Sequence, residues 1–301
     1  MGRALRLPGF VDILFVDSAA DIEPLASDPR IDRAFLPDGP LINRMTVKRV
    51  TGTLTVDGGR LPSITPRADP DREARQRALE ARLDPSTHDR IWDVETIRLL
   101  GDAIRGVPGS VPLEIAAQQA IGRLFVADYR GSQESWKAAY CLNEAVQTRN
   151  PLRPLFLRLS GRLRRSKELL FRLVGGDRAG VHATGIAVHS LVRCFEGMRA
   201  LWQQQGARER LSADAAVARC LVAPRNVLRQ ASEQGATVSG KVRPGTLVVI
   251  ELDKIHQSSP SPQTAFMAGT WSRCPAAQAT PLLLKAVWER ASADADKEKR
   301  P

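Results

Sequence analysis

Phe266-Met267-Ala268-Gly269-Thr270-Trp271-Ser272-Arg273-Cys274-Pro275-Ala276 is the stretch around which the chain is organised. A glycine-bearing loop ends in a cysteine, and a helix opens shortly after it. Thr280 is a good N-cap and Pro281 a good first helical residue. Leu283, Leu284, Val287, Trp288 and Ala291 then follow at helical spacing. A sulfur near a helix N-terminus sits in a positive field, which favours thiolate over thiol. A thiolate can serve as a nucleophile or a metal ligand, whereas a buried free cysteine is inert core. The stretch alone leaves these readings open.

The 301 residues allow one large domain or two ordinary ones, and the 43% apolar content is enough for a real core. No apolar run is long enough to span a bilayer. The start, Met1 to Pro8, has no hydrophobic signal core, so a soluble, cytoplasmic protein is expected. Cys141, Cys194, Cys220 and Cys274 are widely spaced, which suggests neither a zinc site nor a disulfide framework. A net charge of +11 invites a nucleic-acid reading. Most of the excess, however, is arginine scattered along the chain. Its densest cluster, Arg153 to Arg172, is interleaved with Leu and Phe, like an amphipathic helix with a solvated basic face. Aromatics are 5%, too few for base-stacking platforms. Nucleic acid is therefore disfavoured, and an acidic protein or an anionic substrate fits the charge at least as well.

Along the chain, Val11 to Val16 reads as a strand. Asp17 or Ser18 caps a helix through Leu25, and Ser27-Asp28-Pro29-Arg30 turns out of it. Thr46 to Val50 and Thr53 to Val56 alternate and Asp57-Gly58-Gly59 is a turn signal, which predicts a hairpin. Asp71 to Leu83 is a charged helix. Helices follow at Ile91 to Arg105, Pro112 to Val126 and Ser132 to Gln147, and then the basic helix, ended by Gly175-Gly176. A long helix opens at Ala179, with Val188, Leu191, Val192, Phe195, Met198 and Trp202 at helical spacing. Leu211 to Pro224 is another helix. Lys241 to Gly245 turns into a buried strand ending at Ile250. Residues 1–293 read as one domain, and Asp294 to Pro301 as a charged, disordered tail.

In this order the chain resembles the cytochrome P-450 family. The family's haem-binding loop reads Phe, two residues, Gly, three residues, Cys, one residue, Gly. Phe266, Gly269, Cys274 and the Cys274-Pro275 pair match it. One extra residue lies between Gly269 and Cys274, and Ala276 replaces the last Gly. The family's helix after Asp-Pro carries His, three residues, Arg. Aligned on Asp69-Pro70, Arg77 falls on the Arg and Glu73 on the His. The family's long central helix carries Ala/Gly-Gly-x-Asp/Glu-Thr-Thr/Ser. Here Ala179, Gly180 and Thr184 are kept, His182 stands at the acid, and Ala183 at the first Thr. Pro224, Arg229, Pro244, Gly245 and Thr246 keep the family's order and approximate spacing. The preceding Glu-two-residues-Arg pair is absent, with apolar residues near Ala218 and Leu221. Only Ser258 to Ala265 stand where the family has a long meander.

The resemblance implies a mainly α protein with a small β-sheet (α+β), a truncated cytochrome P-450-like fold. It implies haem b whose iron takes Cys274 as axial thiolate, held in the loop with Phe266 and Gly269. Such a ligand favours O–O cleavage. Arg77, Arg229 and Arg273 would meet the haem propionates, and Gly180 would help roof the cofactor. His182 and Thr184 would handle protons, since His titrates near neutral pH. Read as residues alone, Arg77 is a surface arginine four from Glu73, and His182 a capping or surface histidine.

The expected function is a haem-thiolate oxidoreductase of the monooxygenase type, peroxide-using or non-oxygenating, acting on a small organic molecule in a biosynthetic pathway. A ferredoxin-type or other acidic redox partner would supply electrons. The alternatives are a non-catalytic haem-binding or partner-binding relative, and a basic helical domain that binds nucleic acid.

Overall fold

The apolar run Val11–Val16 is a strand whose first, second, fourth and sixth residues are buried. It pairs in parallel with Leu247–Ile250, the strand that follows Pro244-Gly245-Thr246. The computed structural model describes residues 2–84, 86, 92–148, 150, 152–204 and 211–297. The chain is mainly helical with small sheets, as the sequence predicts. It forms two compact units, each drawn from three separate segments. The first comprises Met1–Arg77, Glu144–Leu159 and Ala223–Cys274; the second Ala78–Asn143, Ser160–Val222 and Pro275–Pro301.

The described strands all belong to the first unit. They are β1 (Arg3–Leu7), β2 (Val11–Val16), β3 (Ile31–Asp32), β4 (Thr55–Val56), β5 (Gly59–Arg60), β6 (Val227–Ala231), β7 (Gly235–Thr237), β8 (Gly240–Val242) and β9 (Leu247–Ile250). The main sheet has the order β1-β2-β9-β6-β3. Only the β2–β9 pair is parallel, with Ile13 opposite Leu247; β6 runs antiparallel to β9, with Arg229 opposite Val248. Leu14, Val16, Val248 and Ile250 bury one face of this sheet, and Leu247 is buried on the other.

A polar knot pins the sheet to helix Leu41–Thr53. Asn43 is fully buried. Its side-chain oxygen accepts from the Asp12 amide at 3.2 Å, and its amide nitrogen donates to the carbonyls of Asp12 and Gly245 at 2.6 and 2.8 Å. Thr246 Oγ1 donates to Asp12 Oδ2 at 2.7 Å. Each buried polar group is thereby satisfied, which such groups require.

Gly245 has φ of 81°, where glycine is favoured. An added Cβ there would lie 2.5 Å from Gly39 Cα and 2.6 Å from Gly39 N. Both strain and overlap act at this position. Gly245→Ala is expected to cost about 2–3 kcal/mol or more in urea unfolding. A loss below about 0.5 kcal/mol would show that the two backbones can separate freely.

Two sequence expectations change in this unit. Thr46 to Val50 is not a strand but part of helix Leu41–Thr53. Its inward residues Asn43, Val47 and Val50 recur at helical spacing, and this burial overrides the local alternation. The hairpin forms one step later, between β4 and β5 around Asp57-Gly58, with Gly58 at φ 71°. The basic segment is likewise two helices, Leu152–Leu159 in this unit and Arg162–Leu173 in the second. Gly161, at φ 68°, separates them.

The second unit is helical. Helices Val94–Arg105, Leu113–Arg123, Val188–Gln204, Ala213–Cys220 and Ala279–Lys297 pack around Leu100, Ile104, Ala117, Phe195, Met198, Leu283 and Leu284. Trp288 is 1% exposed, donates Nε1 to the Leu211 carbonyl at 3.0 Å and meets Trp202 edge-on at 5.5 Å. Asp93 caps helix Val94–Arg105, accepting from Thr96 N at 2.6 Å. The expected helix start at Ile91 lies outside the described residues. The last helix begins at Ala279, slightly before the expected Thr280 cap, and runs through Lys297. Of the expected tail, residues 298–301 lie outside the described residues. Among the described residues no helix is long and apolar enough to cross a membrane.

Candidate functional site

The cysteine loop is shaped by its own short-range bonds. Helix Pro262–Phe266 ends at Met267, which adopts the left-handed conformation at φ 51°. Ala268 N then donates to the Gln263 carbonyl at 2.9 Å, closing the helix as a C-terminal cap does. Thr270 Oγ1 donates to the Met267 carbonyl at 2.9 Å and accepts from Ser272 N at 3.2 Å. Cys274 N returns to the Phe266 carbonyl at 2.9 Å. The extra residue in the loop is thus absorbed by a tight turn. Cys274 is left half-exposed, while Cys141, Cys194 and Cys220 are buried. Phe266 is buried. A Cβ at Gly269 would make only ordinary contact, 3.5 Å from the Glu23 carboxylate.

Around this loop the first unit gathers guanidinium groups. Arg72, the first residue of helix Arg72–Arg82, donates Nη1 to the Trp271 carbonyl at 2.7 Å. Arg33, just beyond β3, donates Nη2 to the Ser272 carbonyl at 3.3 Å. Arg229, in β6, donates Nη2 to Ser272 Oγ at 2.7 Å and is 2% exposed. Gln76 Nε2 donates to the Arg273 carbonyl at 3.2 Å. The Trp271 ring sits among these cations. The guanidinium carbons of Arg72, Arg33, Arg229 and Arg67 lie 4.8, 5.0, 5.8 and 5.9 Å from its centroid. Each is within cation–π range.

Negative charge in the cluster is sparse. Asp32 Oδ1 accepts from the backbone amides of Arg33 and Arg67 at 2.6 and 2.9 Å. Glu73, largely exposed, stands 3.9 Å from Arg72. Burial, and then the neighbouring Arg72 charge, push Arg33 down to about 10; Asp32 and Cys274 only partly offset this. Burial, and then Arg33, hold Arg229 well below the usual arginine range. Arg33 Nε, Arg72 Nε and Trp271 Nε1 are buried donors with no hydrogen-bond partner. A buried donor without an acceptor costs about 1–3 kcal/mol. Like charges buried together cost further. One kind of ligand relieves both costs, an anion with planar carboxylate or phosphate oxygens, which guanidinium forks match.

The predicted residues divide between the units. Cys274, Phe266, Gly269, Arg229 and Arg273 all belong to the loop or cluster of the first unit. Arg77, on helix Arg72–Arg82, is exposed. The cluster takes Arg72 and Gln76 from that helix instead, four apart on one face. Arg273 points its side chain outward and lends the cluster its carbonyl. Sequence reasoning misses Arg33, Arg67, Arg72 and Trp271. The Arg72–Gln76 spacing is the available signal for the helix.

Gly180, His182 and Thr184 lie in the second unit, on the helix that opens at Arg178. Asp177 caps it, accepting from Ala179 N and Gly180 N at 2.7 and 3.3 Å. Within it, Ala183–Ala187 forms a π-turn, a feature frequent at functional sites. Thr184 is fully buried and its Oγ1 donates to the Gly180 carbonyl at 2.8 Å. The Thr184 carbonyl accepts from the buried Gln118 Nε2 at 3.1 Å. Gly180 has no room for a side chain; a Cβ would lie 2.8 Å from Val174 Cβ.

Searches of family models and of curated proteins find no match to this chain. Solved structures do match it, and they are cytochrome P-450 structures. Similar ones include CYP175A1 from Thermus thermophillus, with TM-score 0.62 and 15% identity, covering 96% of this chain and 83% of that one. The mycinamicin VIII C21 methyl hydroxylase from Micromonospora griseorubida gives 0.62 and 13%, over 96% and 84%. Cytochrome P-450-153 from Novosphingobium aromaticivorans gives 0.58 and 12%, over 97% and 85%.

The chain has the cytochrome P-450 fold. At these identities the likeness carries the architecture and not the chemistry. Within the cytochrome P-450 fold this chain is short, since it spans less of each neighbour than of itself. Among the described residues no three His, Cys, Asp or Glu side chains come together. Cys274 is the partly exposed cysteine that the first unit holds beside its cations.

Proposed function

We propose that the chain is a haem-thiolate oxidoreductase of the cytochrome P-450 type, with Cys274 as the iron's thiolate. The observation that carries this reading is the cation cluster beside Cys274, with its three unpartnered buried donors. Arg33, Arg72, Arg229 and the Trp271 N–H would hold the haem propionates. Two carboxylates are the charge this cluster lacks. Haem bound through a thiolate supplies oxidative chemistry by pushing electron density to the iron. The protein's part is to fix the propionates, keep the Cys274 backbone on the Phe266 carbonyl and manage protons. On the helix opened by Arg178, the Thr184 hydroxyl holds its proton on the Gly180 carbonyl. His182 takes the place of the family's acid, and its imidazole would pass a proton at Nδ1 or Nε2.

The substrate would be a small organic molecule in a biosynthetic pathway. Support comes from the similar structures, one a methyl hydroxylase and one a protein for C–S bond formation in chuangxinmycin biosynthesis. A ferredoxin-type or other acidic redox partner suits the net charge of +11, and a cytoplasmic site suits such a partner. A non-catalytic haem-binding relative is the second reading, favoured by the complete burial of Thr184. Turnover, or a substrate-induced spin shift, separates the two.

The deciding experiment is the absorbance of the reduced protein under CO, after expression with haem supplied. The expected result is the red-shifted Soret band of a thiolate-bound haem, lost in Cys274→Ser. A protein without haem, or a band unchanged in the variant, would overturn the assignment.

A further inference from the structure

We propose that Gln118 is a positioning residue that holds the π-turn Ala183–Ala187 open and thereby sets the direction of His182. Its bearing on chemistry rests on the reading of His182 as a proton carrier; the geometry of the turn does not. Gln118, the π-turn and the helices on either side of it all belong to the second unit.

The helical run is pinned on both sides of the turn. Before it, Asp177 caps the amides of Ala179 and Gly180, and Gly180 lies flush against Val174 with no room for a Cβ. After it, Val188, Leu191, Val192, Phe195 and Met198 are buried along helix Val188–Gln204. Between the two, Val188 N donates to the Ala183 carbonyl, five residues back. Rewinding this turn to α geometry would rotate the leading segment by about 100° against the trailing helix. His182 is the last residue before the turn and would swing with it.

A widened turn throws its carbonyls out of line with the α ladder, and buried carbonyls need donors. Gln118 brings one from another helix. It is fully buried in helix Leu113–Arg123. Its Nε2 donates to the carbonyls of Thr184 and Ser135, at 3.1 Å each, and its Oε1 accepts from Ser135 Oγ at 2.6 Å. Ser135 is fixed in turn. Its amide donates to Ser132 Oγ at 3.1 Å, and the Ser132 amide donates to Ser135 Oγ at 2.9 Å, a reciprocal cap before helix Gln133–Gln147. With both donors and the acceptor engaged, the Gln118 amide cannot turn over without leaving buried partners unpaired. The start of one helix thus aims the donor of a second at the π-turn of a third.

The test is NMR of the four histidine imidazoles in the full, haem-free chain, labelled at histidine. His182→Asn assigns one signal and His189→Asn a second. In Gln118→Met, which keeps the side chain's length and loses its donors, the His182 signal is expected to shift by several linewidths. The His189 signal is expected to hold, because His189 lies beyond the turn and stacks on Trp136 at 4.7 Å. Gln118→Asn keeps the amide and withdraws it by one methylene. It is expected to shift His182 in the same sense and by less, and it decides the matter should the methionine variant not fold. A His182 signal that holds while urea unfolding shows lost stability would make Gln118 a packing residue and overturn the proposal. Equal shifts of His182 and His189 would mean general loosening and overturn it too. No readout needs haem, so the haem assignment and the role of Gln118 can fail separately.

Discussion

Replacing Arg229 with methionine is expected to stabilise the haem-free protein by about 1–2 kcal/mol and to weaken haem retention by about a hundredfold. The two effects have opposite signs because the same charge acts in both. In the haem-free protein Arg229 is buried beside Arg33, and burial first and Arg33 second hold it well below its usual range. Protonated Arg229 is therefore disfavoured by the fold. Buried cations are often replaced at a gain by apolar residues of similar volume. Methionine keeps most of that volume and loses one bond to Ser272 Oγ and one to the Leu228 carbonyl. Once a propionate is present, the missing guanidinium removes a charge-assisted bond from a low-dielectric site. Urea unfolding of the haem-free protein and haem transfer to an acceptor protein measure the two effects. Lower stability in the haem-free state would mean that the cluster is already satisfied. Unchanged retention would take Arg229 out of the cofactor site.

The second large effect concerns thiol reactivity. In the folded, haem-free protein at pH 8, one thiol per chain is expected to react rapidly with a disulfide reagent. That thiol is Cys274. Burial pushes the Cys194 thiol up to about 12 and the Cys220 thiol up to about 11. At pH 8 their thiolate fractions are then roughly one in ten thousand and one in a thousand, and only the thiolate attacks. Cys141 is buried as well, at 4% exposure. Cys274 is half-exposed, and Arg33 lies close enough to feel its charge. The remaining three thiols should lag by about a hundredfold or more. In Cys274→Ser the fast phase should vanish, and haem loading should suppress it in the parent. A fast phase that survives the substitution would place the reactive sulfur elsewhere.

The sheet is legible where the sequence forces the backbone. Val11 to Val16 is an apolar run, and Gly245 must be glycine at its φ. Arg229 is picked out only by the family resemblance, which places it at an approximate spacing before that turn. The hairpin expected at Thr46 fails because a helix with only its inward side apolar can imitate alternation over five residues. The cluster is less legible than the cysteine. Arg33, Arg67 and Arg72 sit in loops or at a helix start, and nothing near them in sequence marks them as meeting at one ring. Each is defined by Trp271, roughly two hundred residues away. Alignment on Asp69-Pro70 selects Arg77, yet the helix turns Arg72 inward and Arg77 outward.

The interleaving of the two units also has a consequence for synthesis. Each unit takes three segments of the chain, and the segments alternate along it. The parallel partner of Ile13 is Leu247. A nascent chain elongating at roughly 5–20 residues per second therefore holds β2 without its central neighbour for roughly ten to fifty seconds. Neither unit can close as a contiguous piece while the ribosome is still working. The edge of β2 that β9 will cover stays unpaired during that interval, and any early stop before Leu247 leaves the sheet without its middle strand.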